Sequence, residues 1–246
     1  MSEPPADGND LCEIRELPQA ISSPPSELPR IPGGWTEQQW RIAEHTFRLI
    51  LPAVPDAFLD DPAVQAAFQR DEYMPYWAFL WPAALKMAAT ILQADWPQNA
   101  EVLEIGAGLG IVSLAGLARG LRVTISDYEP KSVELALFNA RRNGFTQVQG
   151  LVLDWRLPPQ RQFPVIWGCD LLYEDRHHEQ LLELTQKLLT RDGVAWFADG
   201  GRIPAGRFCQ QVSRFGLECR LFDEKLHPLV VPRIGQYQLI ELRHRT

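Results

Sequence analysis

The sequence predicts an α/β fold in which a mostly parallel sheet carries helices on both faces and ends in an antiparallel C-terminal edge. From residue 101 onward, short apolar runs of strand length alternate with longer segments whose apolar residues recur at helical spacing. Such alternation needs helical crossovers, which make neighbouring strands parallel. The last two strand-like runs follow each other with no helical segment between them, and this favours antiparallel pairing.

Seven strands account for the sheet. They are predicted at residues 101–106, 122–127, 148–155, 163–170, 193–200, 216–224 and 236–245. Helical spacing predicts the intervening helices at residues 111–120, 131–144, 177–193 and 207–215. Polar side chains at the carboxyl ends of parallel strands lie at one edge of such a sheet, so the residues that follow each strand are the candidates for a binding site.

A tail and an extension precede the sheet. Residues 1–32 contain seven of the twenty prolines and no periodic apolar pattern, so we expect a disordered, proline-rich tail. Residues 33–246 are expected to form a single domain that begins with a helical and aromatic extension, residues 33–98. Apolar spacing in this extension predicts a helix from Trp35 to Leu51 and a shorter one near Pro62–Arg70, and Pro82 suits the first turn of a third.

Composition argues against several classes of function. The chain has 246 residues, 46% of them hydrophobic, and a formal charge of −7. An acidic protein of this kind is a poor general binder of nucleic acid. The four cysteines lack CxxC spacing, which argues against a zinc site or a disulfide framework. No apolar run is long enough to cross a bilayer, and the N-terminus lacks a signal pattern, so we expect a cytoplasmic protein with no membrane partner.

A glycine-rich turn, VLEIGAGLG, follows the first predicted strand. Gly106, Gly108 and Gly110 have GxGxG spacing, and Ile111 stands where the dinucleotide fingerprint GxGxxG requires its third glycine. The sequence contains no Gly-Lys pair, which excludes a P-loop. Glycines bring a backbone close to a ligand or to a neighbouring helix. The turn alone leaves both explanations open.

The ends of the next two strands carry further acidic residues. Asp127 lies 21 residues after Gly106, a spacing at which a carboxylate can accept hydrogen bonds from both ribose hydroxyls of an adenosine. Asp154 could accept from an adenine amino group, and Trp155 could cover the ring. The alternative assignments are a helix cap for Asp127, with Glu129 as a neighbouring ribose candidate, and a turn residue for Asp154.

This order of sites resembles the class I, seven-β-strand methyltransferases that use S-adenosylmethionine (SAM). Glu104 and the GxGxG turn resemble their motif I. The resemblance implies a Rossmann-like seven-stranded sheet and SAM as the cofactor. We expect no metal site, because the cysteines lack ligand spacing and His177 and His178 have no third ligand nearby in the sequence. Eight residues are candidates for cofactor binding: Trp81, Glu104, Gly106, Gly108, Gly110, Asp127, Asp154 and Trp155.

The fourth strand ends in a DxxY pattern, Asp170 to Tyr173, which resembles the signature of the protein lysine methyltransferases in this class. The aromatic segment YWAFLWP, which ends at Pro82, and the sequence DGGR, which ends at Arg202, look most like the branch that methylates the electron-transfer flavoprotein β subunit. In that branch the second residue of DGGR is proline. The resemblance implies a protein substrate, possibly that β subunit, with Asp170 and Tyr173 as catalytic residues.

Each assignment has a structural alternative. Asp170 could cap a helix and Tyr173 could belong to the core. Trp81 could be a core residue, and Arg202 could pair with a carboxylate or be solvated. His177 and His178 are expected to be exposed on a surface helix. Alternative functions are methylation of a small-molecule amine or of RNA, and a non-catalytic SAM-binding module.

Overall fold

The computed structural model describes residues 13–17, 27–72 and 74–245. The elements follow one another as β1 (Ile14–Leu17), β2 (Trp35–Ile42), β3 (His45–Pro52), α1 (Pro62–Asp71), α2 (Pro82–Gln93), β4 (Glu101–Ile105), α3 (Ile111–Ala118), β5 (Arg122–Asp127), α4 (Pro130–Arg142), β6 (Gln149–Val152), β7 (Phe163–Cys169), α5 (His178–Leu188), β8 (Leu189–Asp199), α6 (Ile203–Gln211), β9 (Leu217–Phe222), β10 (Pro228–Leu229) and β11 (Gln238–His244). Short 3₁₀ turns lie at Pro55–Asp60, Tyr76–Ala78, Asp175–His177 and Val212–Phe215.

The central sheet has the strand order β10-β9-β11-β8-β7-β4-β5-β6. Strands β8, β7, β4, β5 and β6 are parallel, whereas β11 runs antiparallel to both β8 and β9. All seven predicted strands and the antiparallel edge are therefore confirmed. The eighth strand is the two-residue β10, which was too short to be recognised from an apolar pattern.

Two apolar cores cover the two faces of the sheet. Side chains of α2, α3 and α4 belong to one core, and side chains of α5 and α6 belong to the other. Consecutive residues of β4, Val102 and Leu103, point into different cores, as the two-residue period of a strand requires. This doubly covered sheet matches the predicted fold class.

The predicted helix from Trp35 to Leu51 is wrong, because this segment forms the antiparallel pair β2 and β3. The chain reverses at Ala43, whose φ of 51° lies in the left-handed region. Buried Phe47 and Leu49 flank the exposed Arg48, which is the alternation of a strand. Several apolar residues of this segment satisfy both the helical spacing of three or four positions and the two-residue alternation of a strand. The helical spacing therefore predicted the wrong element.

The predicted disordered tail is contradicted at Ile14–Leu17. This strand pairs antiparallel with β2, from Ile14 opposite Ile42 to Leu17 opposite Gln39. Leu28 and Ile31 are partly buried against the first core. Residues 1–12 and 18–26 lie outside the described residues. The N-terminal extension is consequently a three-stranded sheet followed by α1 and an aromatic turn, and α1 confirms the short helix expected near Pro62–Arg70.

Asn139 on α4 ties this N-terminal sheet to the rest of the fold. The fully buried Asn139 amide accepts a hydrogen bond from the Ile50 N–H at 2.8 Å and donates to the carbonyls of Ile50 and Leu109, both at 3.0 Å. Leu109 belongs to the glycine-rich turn. One side chain therefore connects β3 and α4 to the turn at the centre of the sheet.

No helix within the described parts of the chain is long and apolar enough to cross a membrane.

Candidate functional site

A cleft of about 650 Å³ opens where the parallel strands β4, β5, β6 and β7 end. It brings together nine of the ten residues proposed from the sequence: Trp81, Glu104, Gly106, Gly108, Asp127, Asp154, Trp155, Asp170 and Tyr173. Gly110 does not line the cleft. These residues come from five separate segments of the chain, and parallel strand order places them at one edge.

The three glycines have different roles in the structure. All have positive φ, 62° at Gly106, 54° at Gly108 and 82° at Gly110. A Cβ added at Gly106 would lie 2.5 Å from a Leu171 methyl carbon, and one at Gly110 would lie 2.9 Å from the Cβ of Ala136. At Gly108 the nearest atom would be the Trp77 carbonyl oxygen at 3.5 Å. Gly106 and Gly110 thus permit close packing, whereas Gly108 keeps the cleft open.

Glu104 lies at the base of the cleft and is 1% exposed. The Ser113 hydroxyl donates a hydrogen bond to its carboxylate. Burial raises the pKa of Glu104 to about 8, and the nearby Asp127 carboxylate contributes in the same direction. Water no longer stabilises the ionised form, so the folded protein retains this proton at neutral pH.

Replacing Glu104 by glutamine is expected to remove a pH dependence of stability. Between the ordinary carboxyl pKa of 4.5 and the folded value of about 8, the folded protein binds a proton that the unfolded chain has lost. The free energy of unfolding then falls as pH rises, by up to about 1.4 kcal/mol per pH unit. Melting temperatures of the cofactor-free wild type and variant between pH 5 and 9 should diverge with rising pH, and parallel curves would contradict the assignment.

Asp127 holds the glycine-rich turn in place. Its two carboxylate oxygens accept hydrogen bonds from the N–H groups of Gly108 at 2.9 Å and Glu129 at 3.0 Å. The cap of α4 is Glu129, whose side chain accepts from the Lys131 N–H. The helix-cap alternative for Asp127 is therefore wrong. Burial raises the pKa of Asp127, and its carboxylate stays on the cleft wall, where the predicted ribose contact would form.

Asp154 and Trp155 form the adjoining wall. The Arg156 guanidinium donates to both oxygens of Asp154, with a shortest distance of 2.6 Å, and lowers the pKa of that carboxyl. The Leu157 N–H donates to the Asp154 carbonyl, so the turn role considered for Asp154 is also present. Trp155 contacts His177 edge-on at 5.8 Å between ring centroids.

Asp170 occupies the opposite end of the cleft in a strained backbone conformation. Its φ is 57°, and strain of this kind is concentrated at functional sites. The next helical turn begins at Asp175, so Asp170 does not cap a helix. Asp170 is 6% exposed, and burial raises the pKa of its carboxyl while Arg202 opposes that shift.

Arg202 fixes the orientation of the Asp170 carboxylate. Its Nη1 atom donates to Asp170 Oδ1 and to Asp199 Oδ2, the latter at 3.0 Å. Asp199 is fully buried and accepts the N–H groups of Gly201 and Arg202. The guanidinium lies 5.5 Å from the Trp81 ring centroid. The solvated alternative for Arg202 is thereby excluded.

The second oxygen of Asp170 has a different environment. Among the described residues, the Cys169 thiol donates to Oδ2 over 3.8 Å, a weak hydrogen bond at long range. Asp170 therefore keeps one acceptor oxygen available at the cleft.

Aromatic rings surround this end of the cleft. Tyr76 contacts Tyr173 edge-on at 5.2 Å and Trp81 at 5.9 Å between centroids. The Trp81 indole N–H donates to the Tyr76 carbonyl at 2.9 Å. Tyr173 lines the cleft, and burial raises the pKa of its hydroxyl to about 12, so the ring stays neutral. Trp77 is 7% exposed and contacts Phe58, which fits a core role.

The expectation that both histidines are exposed is wrong. His178 is fully buried, and its Nε2 lies 3.2 Å from the Leu172 carbonyl oxygen, because α5 packs this residue against Phe208. His177 is half-buried on the cleft wall. The described residues contain no cluster of histidines, cysteines and carboxylates suited to a metal ion.

Sequence reasoning did not select Tyr76, although it lies in the aromatic segment quoted for Trp81. It also missed Glu72 and Arg176, which form an ion pair across the rim of the cleft. Their separation along the chain left no local pattern that could have revealed the pair.

The sequence profile described as "Lysine methyltransferase" matches residues 70–205, more than half of the chain. The chain belongs to the lysine methyltransferase family. The methyltransferase uses SAM as its cofactor. The cleft fits this group, because Gly108 leaves a space that a Cβ would enter and buried carboxylates lie beside it.

Curated relatives are similar to part of the sequence of this methyltransferase. The histone-arginine methyltransferase METTL23 of Rattus norvegicus is 28% identical over 155 residues, which cover 58% of this chain and 67% of the relative. The protein N-lysine methyltransferase METTL21A of Danio rerio is 29% identical over 126 residues, which cover 48% of this chain and 57% of the relative.

Solved structures share the fold. A TehB-like SAM-dependent methyltransferase from Corynebacterium glutamicum superposes with a TM-score of 0.53 at 20% identity, over 79% of this chain and all of that chain. The mitomycin 7-O-methyltransferase MmcR gives a TM-score of 0.57 at 16% identity, over 76% of this chain and 59% of that chain.

Proposed function

We propose that this methyltransferase transfers a methyl group from SAM to the side-chain amine of a lysine in a protein substrate. The proposal rests on the hydrogen bonding of the Asp170 carboxylate. Arg202 holds one of its oxygens, and the other is available in a cleft walled by Tyr76, Trp81 and Tyr173. One acceptor beside aromatic rings suits a single amine.

The residues of the chain would prepare and orient that amine. A lysine amine attacks only when it is neutral, and its pKa in water is about 10.4. Aromatic walls attract the incoming ammonium, and partial desolvation lowers its pKa so that a proton leaves to solvent. Asp170 Oδ2 then accepts an N–H and directs the nitrogen lone pair along the cleft.

SAM supplies a methyl group that is activated by its sulfonium. On transfer, an N–C bond would replace the C–S bond of the cofactor, and the methylated amine would carry the positive charge. Asp170 stabilises that charge where it develops. Tyr173 stays neutral at the operating pH and therefore acts through its ring and its hydroxyl hydrogen bonds.

An arginine acceptor fits the site less well, although one relative is a histone-arginine methyltransferase. A guanidinium is recognised most strongly by two parallel hydrogen bonds to both oxygens of a carboxylate. Arg202 already occupies Oδ1 of Asp170. This occupancy supports an amine over a guanidinium as the group that Asp170 receives.

The electron-transfer flavoprotein β subunit is the substrate that we propose within this class. The support is the resemblance of the aromatic segment before Pro82 and of the DGGR sequence, in which Arg202 pairs with Asp170 and Asp199. Gly200 replaces the proline of the related branch. Purified β subunit is thus the first individual protein to assay.

A transfer assay tests the proposed function. Wild-type protein is expected to label protease-sensitive material when mixed with methyl-labelled SAM and a lysate of cells that lack the enzyme. Acid hydrolysis of the labelled protein should release methyllysine. Methylarginine would contradict the choice of acceptor, and nuclease-sensitive label would indicate RNA. Label confined to small molecules would favour an amine metabolite, and SAM binding with no transfer would favour a binding module.

A further inference from the structure

An exposed apolar patch lies beside the cleft. It consists of Ile203, Val230, Val231 and Ile234, and their exposed fractions are 63%, 98%, 66% and 77% respectively. A single large aliphatic side chain with this exposure is common on protein surfaces, whereas a group of them marks an interaction surface. We call these four residues the apolar patch.

The patch is at the same end of the sheet as Asp170. Gln238 at the start of β11 pairs with Asp199 at the end of β8, so the loop before Gln238 lies at the carboxyl ends of the parallel strands. The Gly235 N–H donates to the Gly201 carbonyl at 2.8 Å. Ile203 directly follows Arg202, which lines the cleft. The apolar patch therefore extends the rim of the cleft on the side where Asp170 lies.

The backbone of the patch loop is held in place. The Arg233 N–H donates to the Gln238 side chain at 2.9 Å, and the Arg233 guanidinium pairs with Glu224 at 3.5 Å. A Cβ at Gly206 on α6 would lie 3.8 Å from Pro232, so the loop rests against α6. Val230 and Ile234 are displayed to solvent by a fixed loop.

The charges around the patch indicate the chemistry of its partner. Arg202 pairs with Asp170 and Asp199, Arg207 pairs with Asp175 at 2.7 Å, and Arg233 pairs with Glu224. Binding of a phosphate backbone needs cations that are available to it. These three arginines are already neutralised, which suits an apolar protein surface and disfavours RNA.

We propose that the apolar patch docks the protein substrate through an apolar surface region next to the target lysine. This inference rests on the proposed function and describes how the same site would select its substrate. The docked surface would lie over the patch while the lysine extends past Arg202 to Asp170. Most of the binding energy would come from a few aliphatic contacts, as at other protein interfaces.

The double variant Val230→Glu/Ile234→Glu tests the docking surface. Both side chains are largely exposed, so the fold and SAM affinity should be unchanged, as checked by melting temperature and calorimetry with SAM. Methyl transfer is measured against serial dilutions of a lysate from cells that lack the enzyme. At limiting lysate the variant should be at least about tenfold slower, and the gap should narrow as lysate concentration rises.

The control is Val54→Glu, which places the same charge at a valine 51% exposed and outside the patch and the cleft. It should label the lysate like the wild type. Equal rates for the double variant and the wild type at every dilution would overturn the docking proposal alone. So would a wild-type dimer that the double variant converts to monomer without a change in rate. Absence of protein label from the wild type itself would overturn the proposed function.

Discussion

Asp170→Asn is expected to lower the methyl-transfer rate by at least about 10²–10³-fold while SAM affinity stays within about twofold of wild type. Asparagine has the shape of aspartate, so packing in this buried position is retained. It lacks the negative charge that Arg202 holds in place and that would stabilise the methylated amine. Its amide can also present an N–H where the lysine requires an acceptor.

Single-turnover transfer to lysate protein and calorimetry with SAM measure the two effects separately. Asp192→Asn is the matched control, because Asp192 is an exposed residue near the start of β8 whereas Asp199 ends that strand on the catalytic side. The control should retain full activity. Full turnover by Asp170→Asn would contradict the role given to this carboxylate, and a comparable loss in both variants would indicate general destabilisation.

Gly108→Val is expected to weaken SAM binding at least about hundredfold, a loss of roughly 3 kcal/mol. The nearest protein atom to an added Cβ is the Trp77 carbonyl oxygen at 3.5 Å, so the protein itself accommodates the first carbon. The branched side chain would extend into the space that the cofactor requires. The φ of 54° adds backbone strain of about 1–2 kcal/mol.

Gly144→Val is the control variant that distinguishes the effect of backbone strain from the effect of obstructing the cleft. Gly144 has a φ of 88°, follows α4 and has no atom within 4 Å of an added Cβ. The control should lower the melting temperature by a similar amount yet bind SAM normally, as titration calorimetry would show. A SAM dissociation constant for Gly108→Val within threefold of wild type would contradict the proposed position of the cofactor.

The sheet was predictable because its pattern is local. Each of the seven predicted strands lies in a short segment rich in apolar residues, and glycine or proline punctuates most connections. Carboxylates at Asp127, Asp154 and Asp170 could be placed in one site because parallel strands end at the same edge. This placement needed only the strand ends and the residue types, whereas the catalytic role of Asp170 came from the resemblance of its DxxY pattern.

The N-terminal sheet was not predictable on the same basis. In the segment from Trp35 to Leu51, apolar residues satisfy both a helical and a strand spacing, and tertiary contacts decide between them. Asn139 supplies such contacts from a position 89 residues beyond Ile50. The role of Arg202 and the burial of His178 likewise depend on partners from other elements, so the sequence left Arg202 open and misplaced His178.

The Asn139 hydrogen bonds cross the boundary of the region that the family profile matches. The family profile begins at residue 70, after β3 has ended. Yet the amide of Asn139, inside the matched region, is satisfied by Ile50, outside it. Excision at the profile boundary would leave a buried amide without those partners and remove a support of the turn at Leu109. The region that the family profile matches therefore depends on a contact with the segment that precedes it, and β3 helps to hold the glycine-rich turn of the cofactor site.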